Sequence, residues 1–167
     1  HDAQQGSLGD DYLSGGAGAC ILDGGDGVDT VRYGTSQSGV TINLFLASAQ
    51  SDGDAEGDIL SNIENVFGSN HADTISGDNS ANTLWGYGGI DLIHGNGGDD
   101  VLYGQDGADT LVGQGGADVL DGGAGSDTAS YYGSGSAVTI NLSSGTEIGG
   151  TANGVALISI EDLQGSK

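Results

Sequence analysis

Between Gly68 and Ser130 the chain reads GSNHADTIS GDNSANTLW GYGGIDLIH GNGGDDVLY GQDGADTLV GQGGADVLD GGAGSDTAS, which is one nine-residue repeat written seven times without a break. The template is G-G-x-G-x-D-x-U-x, where U is an apolar residue. A fixed short period predicts a fold assembled from one small unit. The first six residues predict a tight turn with positive φ at several positions, and the last three predict a short strand whose middle side chain is buried.

Two consecutive repeats supply two strands and two turns, which close one coil of a solenoid, so residues 18 positions apart should stack. The predicted fold class is therefore all-β, a parallel β-roll or β-helix solenoid. On its outer face Trp85 and Tyr103 should lie one above the other, either as ordinary cross-strand packing or as a surface for sugar rings or a partner protein. The residues expected in the core are Ile75, Leu84, Ile93, Leu102, Leu111, Leu120 and Ala129.

The sixth residue of each repeat should form two columns of side chains, one along each side of the solenoid. One column holds Asp73, Asp91, Asp109 and Asp127, and the other holds Asn82, Asp100 and Asp118. At the ~4.8 Å spacing of neighbouring strands, adjacent carboxylates would repel each other by roughly 3 kcal/mol at an effective dielectric constant of about 20. The columns therefore require cations between successive coils.

A shorter block of three repeats begins at Gly6, with Asp11 and Asp29 as stacked acids and Leu13, Leu22 and Val31 expected inside. Cys20 occupies the place of the third acid. Because a thiol is a poor calcium ligand, this side of the block should bind a cation weakly or not at all. Asn82 carries no charge, so its site should also be weaker than the all-aspartate sites.

Calcium suits the columns, because it is a hard cation that takes oxygen ligands from carboxylates and backbone carbonyls. The sequence contains neither a Cys/His cluster for zinc nor a Gly-Lys-Ser/Thr loop for nucleotides. Several calcium ions should bind as the chain folds, because the buried aliphatic side chains alone cannot offset the entropy of ordering the segment. The candidate ligands, through side chains or turn carbonyls, are Asp11, Asp29, Asp73, Asn82, Gly86, Gly88, Asp91, Gly95, Gly97, Asp100, Gly104, Asp106, Asp109, Gly113, Gly115, Asp118, Gly122 and Asp127.

Two strand-rich inserts interrupt the repeats, and they resemble each other. The sequence from Asp29 to Leu44 aligns with that from Asp127 to Leu142 at an offset of 98, and a second aligned stretch begins at Ile59 and at Ala156. The chain is therefore about one and two-thirds copies of a super-repeat, each copy a repeat block followed by an insert. The predicted divisions are a short block at 1–32, an insert at 33–67, the main block at 68–130, and at 131–167 a second insert that begins a further block.

Each insert should continue the solenoid as wider coils, with strands at Val40 to Leu44 and at Ile59 to Phe67. The loop from Asp52 to Asp58 begins like an EF-hand loop but lacks the final glutamate and flanking helices, which leaves an accessory calcium site or a solvated acidic loop. Residues 1–5 are expected to fray. The insert core is predicted to contain Val40, Ile42, Leu44, Leu60, Ile63, Val138, Ile140, Leu142, Leu157 and Ile160.

The composition restricts the partners. The 167 residues include 35 glycines and no proline, and 24 acids against two basic residues give a net charge of −22. Nucleic acid and anionic membranes are therefore poor partners, and no membrane-spanning segment is found. The single cysteine allows no internal disulfide. Because the chain begins with His1, we expect it to be part of a longer protein.

The nine-residue template resembles the calcium-binding repeat of RTX, or hemolysin-type, proteins, and the likeness covers ten repeats. The resemblance implies a parallel β-roll with calcium in its turns, disordered without calcium and folded with it. It also implies a large bacterial parent exported by type I secretion, a group that includes toxins, lipases, proteases, alginate epimerases and adhesins.

The expected function is that of a calcium-folded module of a secreted or cell-surface bacterial protein, acting as a stabilising spacer such as an adhesin stalk. The alternative is a folding, secretion and substrate-positioning module of a secreted enzyme or toxin. No catalysis is expected in this chain, because His71 and His94 have no nucleophile elbow or triad spacing around them. The expected partners are calcium, neighbouring domains of the parent and a polysaccharide or cell-surface component.

Overall fold

The computed structural model describes residues 3–142, 146–152 and 154–166, and most of its regular structure is β-strand. Within these ranges the only helical segments are two single-turn 3-10 helices, Gly53–Ala55 and Gly150–Ala152, and no helix could cross a membrane. The strands, numbered along the chain, are β1 Ala3–Gln5, β2 Tyr12–Leu13, β3 Ile21–Asp23, β4 Thr30–Arg32, β5 Thr41–Asn43, β6 Ile59–Ser61, β7 Asn65–Phe67, β8 Thr74–Ser76, β9 Thr83–Gly89, β10 Leu92–Gly97, β11 Val101–Gly107, β12 Thr110–Gly115, β13 Val119–Gly125, β14 Thr128–Ser130, β15 Thr139–Asn141, β16 Thr146–Ile148, β17 Ala156–Ile158 and β18 Asp162–Gln164.

Successive repeat strands alternate between two parallel sheets that enclose the core. The first sheet has seven strands in the order β17-β13-β11-β9-β7-β4-β2, and the second has six in the order β18-β14-β12-β10-β8-β5. A three-stranded parallel sheet, β1-β3-β6, alternates in the same way with β2 and β4. Within the main block every strand pairs with the strand 18 residues away, as Leu84 does with Leu102. The predicted all-β parallel roll is confirmed.

The core is a stack of single aliphatic side chains, one from the middle of each strand. All seven side chains predicted for the main block are 0% exposed, and those predicted for the short block are buried as well. The stack follows from the alternation of side chains across a strand, which sends one residue of each three-residue strand inward. In each coil, each sheet therefore contributes only one side chain to the core.

The turns adopt the left-handed backbone that the template predicts. Tyr87 and Gln105, at the second position of their repeats, both have φ of 75°, and the fourth-position Gly89 and Gly98 have φ of 130° and 101°. The parallel pairing continues through these turns, since Gln105 pairs with Tyr87 beyond the unpaired first glycine. Strands β9 to β13 are consequently six or seven residues long rather than the three predicted.

The first insert joins the two repeat blocks. Strand β5 pairs with β8, β6 pairs with β3, and β7 lies between β4 and β9. The prediction of one strand from Ile59 to Phe67 is wrong, because Asn62 takes a φ of 51° and turns the chain between β6 and β7. Asparagine tolerates this left-handed region better than most residues.

The second insert is less well covered than the first. Val40, Ile42, Leu60 and Ile63 of the first insert are buried, but the prediction for Leu142 is wrong, because it is 42% exposed. Strands β17 and β18 stack on β13 and β14 and form the edges of their sheets in the described ranges, so this insert is covered from one side only. Five predicted core residues are partly buried, namely Leu44, Val138, Ile140, Leu157 and Ile160.

The first residues are more ordered than the sequence predicts. Ala3–Gln5 form β1 and pair in parallel with β3, so the prediction of a frayed end is wrong for residues 3–5. Residues 1 and 2 lie outside the described part of the chain. The pairing follows from register, because β1 precedes β3 by the same 18 residues as elsewhere in the roll.

Candidate metal centre

The sixth-position residues form two columns in which each carboxylate is bonded to the coil before it. The backbone N–H of Asp91 donates to Oδ1 of Asp109 at 2.8 Å, and equivalent bonds recur along both sides of the roll. The predicted stacking is confirmed. The donor and acceptor pairs of this kind are Asp11–Asp29, Asp73–Asp91, Asn82–Asp100, Asp91–Asp109, Asp100–Asp118 and Asp109–Asp127.

The second oxygen of most of these carboxylates is buried without a hydrogen-bond donor. A buried charged group without a partner is costly, and buried polar atoms are nearly always satisfied. Six such atoms in register along two columns therefore point to a positively charged partner shared by all of them. They are the Oδ2 atoms of Asp29, Asp91, Asp100, Asp109, Asp118 and Asp127, in side chains that are at most 2% exposed.

The first glycine of each repeat leaves space beside this oxygen. A side-chain carbon on Gly104 would collide with Oδ2 of Asp109 and lie 2.6 Å from the carbonyl oxygen of Gly122, which belongs to the next coil. A carbon on Gly86 would likewise collide with Oδ2 of Asp91. A carboxylate oxygen and a carbonyl oxygen from successive coils thus converge beside Gly86 and Gly104, and the same pair of oxygens lies beside Gly95. This all-oxygen donor set fits calcium.

Burial has a direct electrostatic consequence for the columns. Burial is the main cause that raises the pKa of Asp91 and of Asp100 to about 7; the backbone N–H that each carboxylate accepts opposes this rise, and neighbouring carboxylates add to it. Burial also raises the pKa of Asp73, Asp109, Asp118 and Asp127. Without a metal, the central aspartates would therefore be partly protonated at neutral pH, and a divalent cation would displace those protons.

The acids that open a block differ from those inside it. The second oxygen of Asp73 accepts the N–H of Ser69 at 2.6 Å, and that of Asp11 accepts the N–H of Ser7 at 2.6 Å. Both polar atoms of the Asn82 amide are hydrogen-bonded, because its Oδ1 accepts the N–H of Asp78 and its Nδ2 donates to the carbonyl of Glu64. These three side chains are less available as ligands, in line with the weaker site predicted at Asn82.

The predicted turn ligands fall into two groups. The first group lies beside the buried acids and consists of Gly86, Gly95, Gly104, Gly113 and Gly122. In the second group, a carbon on Gly88, Gly97 or Gly115 would have no neighbour closer than 3.4 Å, and the Asp106 side chain is exposed. Nowhere in the described residues do three acidic, histidine or cysteine side chains converge. Backbone carbonyls must therefore complete the coordination of any ion in the turns.

The comparison with protein families agrees with this geometry. The family model described as RTX calcium-binding nonapeptide repeat (4 copies) matches residues 5–35, 67–102 and 94–129, which together are more than half of the chain. The chain belongs to the RTX calcium-binding repeat family. No curated protein matches it. Family membership confirms the predicted resemblance and makes the RTX roll a calcium-binding module, and the matched residues contain both columns of the main block.

Sequence reasoning missed three acids outside the RTX match that extend the columns. Glu64 and Glu161 accept the backbone N–H groups of Asp29 and Asp127, and Asp58 accepts that of Cys20. Each directly precedes a strand of an insert, as the repeat aspartate precedes its own strand. The super-repeat alignment pairs Glu64 with Glu161, and this pairing was a signal that could have identified them.

The polar groups around Cys20 are hydrogen-bonded to one another within the protein. The Cys20 thiol lies 3.3 Å from the carbonyl oxygen of Gly18, and the carboxylate of Asp58 accepts both the Cys20 N–H and the Tyr33 hydroxyl. Both oxygens of Asp58 are therefore satisfied, which agrees with the weak or empty side predicted for this block. Burial is the main cause that raises the pKa of Asp58 and of Tyr33.

The acidic loop of the first insert does not gather its ends into one site. Asp52 at its start is exposed and accepts a hydrogen bond from Thr41 at 2.8 Å. Asp58 at its end is fully buried and bonded to Cys20 and Tyr33. Of the two interpretations left open by the sequence, this arrangement favours an acidic loop over an accessory calcium site built from both ends.

Aromatic side chains form a column on the outer face of the seven-stranded sheet. Trp85 and Tyr103 stack with ring centroids 5.5 Å apart and planes 14° from parallel, as predicted. Phe67 packs edge-to-face with Trp85 at 4.4 Å, and the guanidinium of Arg32 lies 5.1 Å from the Tyr12 ring centroid. Cross-strand packing accounts for this geometry, and contact with sugars or a partner protein stays a prediction.

His71 and His94 lie outside the two acid columns. His71 is exposed in the opening turn of the main block, and its N–H donates to the Ser69 hydroxyl. His94 is half-buried on the outer face of β10, where burial lowers its pKa. Neither residue contributes to the arrangement of buried carboxylates and carbonyls in the turns.

Proposed function

We propose that this calcium-binding module folds when it meets calcium outside the cell and serves as a stabilising spacer in a larger secreted bacterial protein, such as the stalk of an adhesin or surface protein. The observation that carries the proposal is the position of β7 between β4 and β9. Through this strand the two repeat blocks share one sheet. A continuous roll suits a spacer, because load passes along it without a hinge between the blocks.

The proposed switch follows from mass action. A ligand that binds only the folded chain stabilises it by RT ln(1 + [L]/Kd) at each site. The core alone is thin, with one side chain from each strand, so folding would depend on the ions bound along the columns. Scarce cytosolic calcium would leave the chain unfolded for export, and abundant calcium outside would fold it.

Circular dichroism with added calcium tests the switch. In chelator the isolated chain should show mostly disorder, and calcium should produce the β signal cooperatively. Magnesium at the same concentration should not, because it requires a stricter octahedral geometry and gives up its water reluctantly. A full β signal in chelator, or equal folding by magnesium, would contradict the proposed switch.

The second candidate is a folding and substrate-positioning module of a secreted enzyme or toxin. It shares the calcium switch and differs only in what the parent protein carries beside this chain. Further copies of the 98-residue super-repeat in the parent would support the stalk, and an adjoining catalytic domain would support the enzyme module. In either case we propose no catalytic role for this chain, and a polysaccharide or cell-surface contact remains a prediction.

A further inference from the structure

The two insert turns reproduce an RTX turn in half the number of residues. Only residues 62–64 separate β6 from β7, and only residues 159–161 separate β17 from β18, whereas the template of a repeat places six residues before its three-residue strand, as residues 77–82 lie between β8 and β9. Asn62 and Ser159 begin these turns with φ of 51° and 50°. Both turns lie outside the residues matched by the RTX family model. The two insert turns therefore share the same length and the same backbone conformation at their first residue.

A glutamate in each insert turn takes the place of the repeat aspartate. Oε2 of Glu64 accepts the Asp29 N–H at 2.7 Å, and Oε2 of Glu161 accepts the Asp127 N–H at 3.0 Å. Oδ1 of Asp109 plays the same part inside the main block. The extra methylene of glutamate extends its carboxylate by about one bond, which helps a shorter turn to reach the same donor.

The oxygen atoms at the insert turns converge as they do in the repeats. Asp29 is 0% exposed and its Oδ2 has no hydrogen-bond partner. A side-chain carbon on Gly24 would lie 2.6 Å from this Oδ2 and would collide with the carbonyl oxygen of Asn62. The corresponding residues of the second insert, with the same burial, unpartnered oxygen and close approach, are Asp127, Gly122 and Ser159.

This pattern is not shared by every acid of the columns. The second oxygens of Asp11 and Asp73 accept N–H groups of their own turns, and that of Asp58 accepts the Tyr33 hydroxyl. Asp29 and Asp127 therefore belong with Asp91, Asp100 and Asp109 of the main block, whose Oδ2 atoms lie buried beside a glycine and a carbonyl of the next coil.

We propose that each insert turn completes an additional calcium site against the repeat block that precedes it. The first site takes the Asp29 and Glu64 carboxylates and the carbonyl of Asn62. The second takes the Asp127 and Glu161 carboxylates and the carbonyl of Ser159. Calcium would then clamp each insert onto its block. The proposal rests on calcium binding by the RTX repeats and adds one ion for each insert.

Counting the bound calcium ions in the full chain by native mass spectrometry tests the proposal. Glu64→Gln and Glu161→Gln keep an acceptor for the backbone N–H but remove the charge, so each should lose one ion and the double variant two. Glu56→Gln is the matched control and should lose none, because Glu56 is exposed and accepts the Asp52 N–H, and the buried carboxylate of nearby Asp58 has both oxygens hydrogen-bonded.

Gly24→Ala and Gly122→Ala test the same sites from the opposite side, because the added methyl group would occupy the space between the two oxygens. Each should lose one ion while circular dichroism at saturating calcium keeps the β signal of the repeats. Unchanged ion counts in both glutamine variants, or in both alanine variants, would overturn the proposal. A wild-type chain that bound no calcium would instead overturn the calcium-folded module itself.

Discussion

Each aspartate inside the main block has two structural roles, divided between its two oxygens. Oδ1 accepts the backbone N–H of the preceding coil and so fixes the register of the roll. Oδ2 is buried without a donor and is directed at the glycine of its own repeat. Asparagine at position 82 has neither role, because its Oδ1 accepts the Asp78 N–H of its own turn and its Nδ2 donates to the carbonyl of Glu64 in the preceding coil. One carboxylate therefore couples coil stacking to ion binding.

Acidification should stabilise the calcium-free roll. Burial raises the pKa of Asp91 and Asp100 from 3.8 to about 7, so the folded chain binds more protons than the unfolded chain between these values. This contribution to stability is fully present below the unfolded pKa and is lost as the pH rises through the folded pKa. In chelator, lowering the pH from about 7.5 to about 5 should therefore increase the β signal in circular dichroism.

A double variant isolates the residues responsible for this pH response. Asp91→Asn with Asp100→Asn removes two buried titrating groups and should flatten the response. Asp52→Asn with Asp162→Asn removes two exposed acids and serves as the matched control. The same response in both double variants would assign the effect to overall charge. With calcium present the pH response of folding reverses, because protons compete with calcium for the carboxylates. The calcium concentration at the midpoint of folding should therefore rise as the pH falls.

At the scale of the element, the turns that begin at Gly86, Gly95 and Gly104 combine a left-handed second residue with a first glycine that faces two oxygen atoms. The left-handed position accommodates Tyr87, Asn96, Gln105 and Gln114, although glycine is the template residue there. The first glycine of every repeat is invariant within the chain. Its role is space rather than flexibility, because a side-chain carbon would occupy the position where the carboxylate and carbonyl oxygens meet.

A single methyl group in this position should weaken ion binding. Gly104→Ala places a carbon against Oδ2 of Asp109 and 2.6 Å from the Gly122 carbonyl oxygen, so it should raise the calcium midpoint of folding about tenfold, given that overpacking costs roughly 1–3 kcal/mol. The control is Gly115→Ala, whose added carbon would lie 3.5 Å from its nearest neighbour, the Asn96 carbonyl oxygen. Equal midpoints for the two variants, measured by calcium titration, would contradict this assignment.

At the scale of the whole molecule, the first insert joins two repeat blocks into one roll. Val66, at the centre of β7, is 0% exposed and pairs with Val31 of the short block and Leu84 of the main block. The strand therefore continues both the hydrogen-bonded sheet and the core stack across the insert. Repeat proteins remain cooperative when the interfaces between neighbouring units are intact, so this strand should couple the two blocks during folding.

Calcium-induced folding should therefore occur as one transition. The fluorescence of Trp85, the only tryptophan, reports on the main block, whereas circular dichroism reports on the whole chain, and the two titration curves should coincide. Val66→Asn buries an amide at the junction, costs about 1–3 kcal/mol and should separate the curves. Val28→Asn, at a residue that is 52% exposed, should leave them together. Separate curves for the wild-type chain would mean that the blocks fold independently.

The nine-residue period determined the roll, its core and its two acid columns by itself. Each repeat contains all of its local instructions, with a glycine turn, an acid and one apolar residue, and the 18-residue coil follows from adding two of them. Leu84, Asp91 and Asp109 could therefore be placed without coordinates. The same logic failed in the inserts, where no period shows which residue turns the chain, and Ile59 to Phe67 was predicted as one strand.

Only the tertiary structure placed Glu64 and Glu161 in the columns, because their position depends on which distant strand each insert pairs with. It also showed that the two oxygens of Asp58 accept hydrogen bonds from Cys20 and Tyr33. These contacts join residues 38 and 25 positions apart, which no local pattern encodes. The exposure of Leu142 likewise could be read only from the folded chain. Local repetition determines the contacts between neighbouring coils of the same sequence pattern. Contacts between unlike segments are determined by the packing of the folded chain.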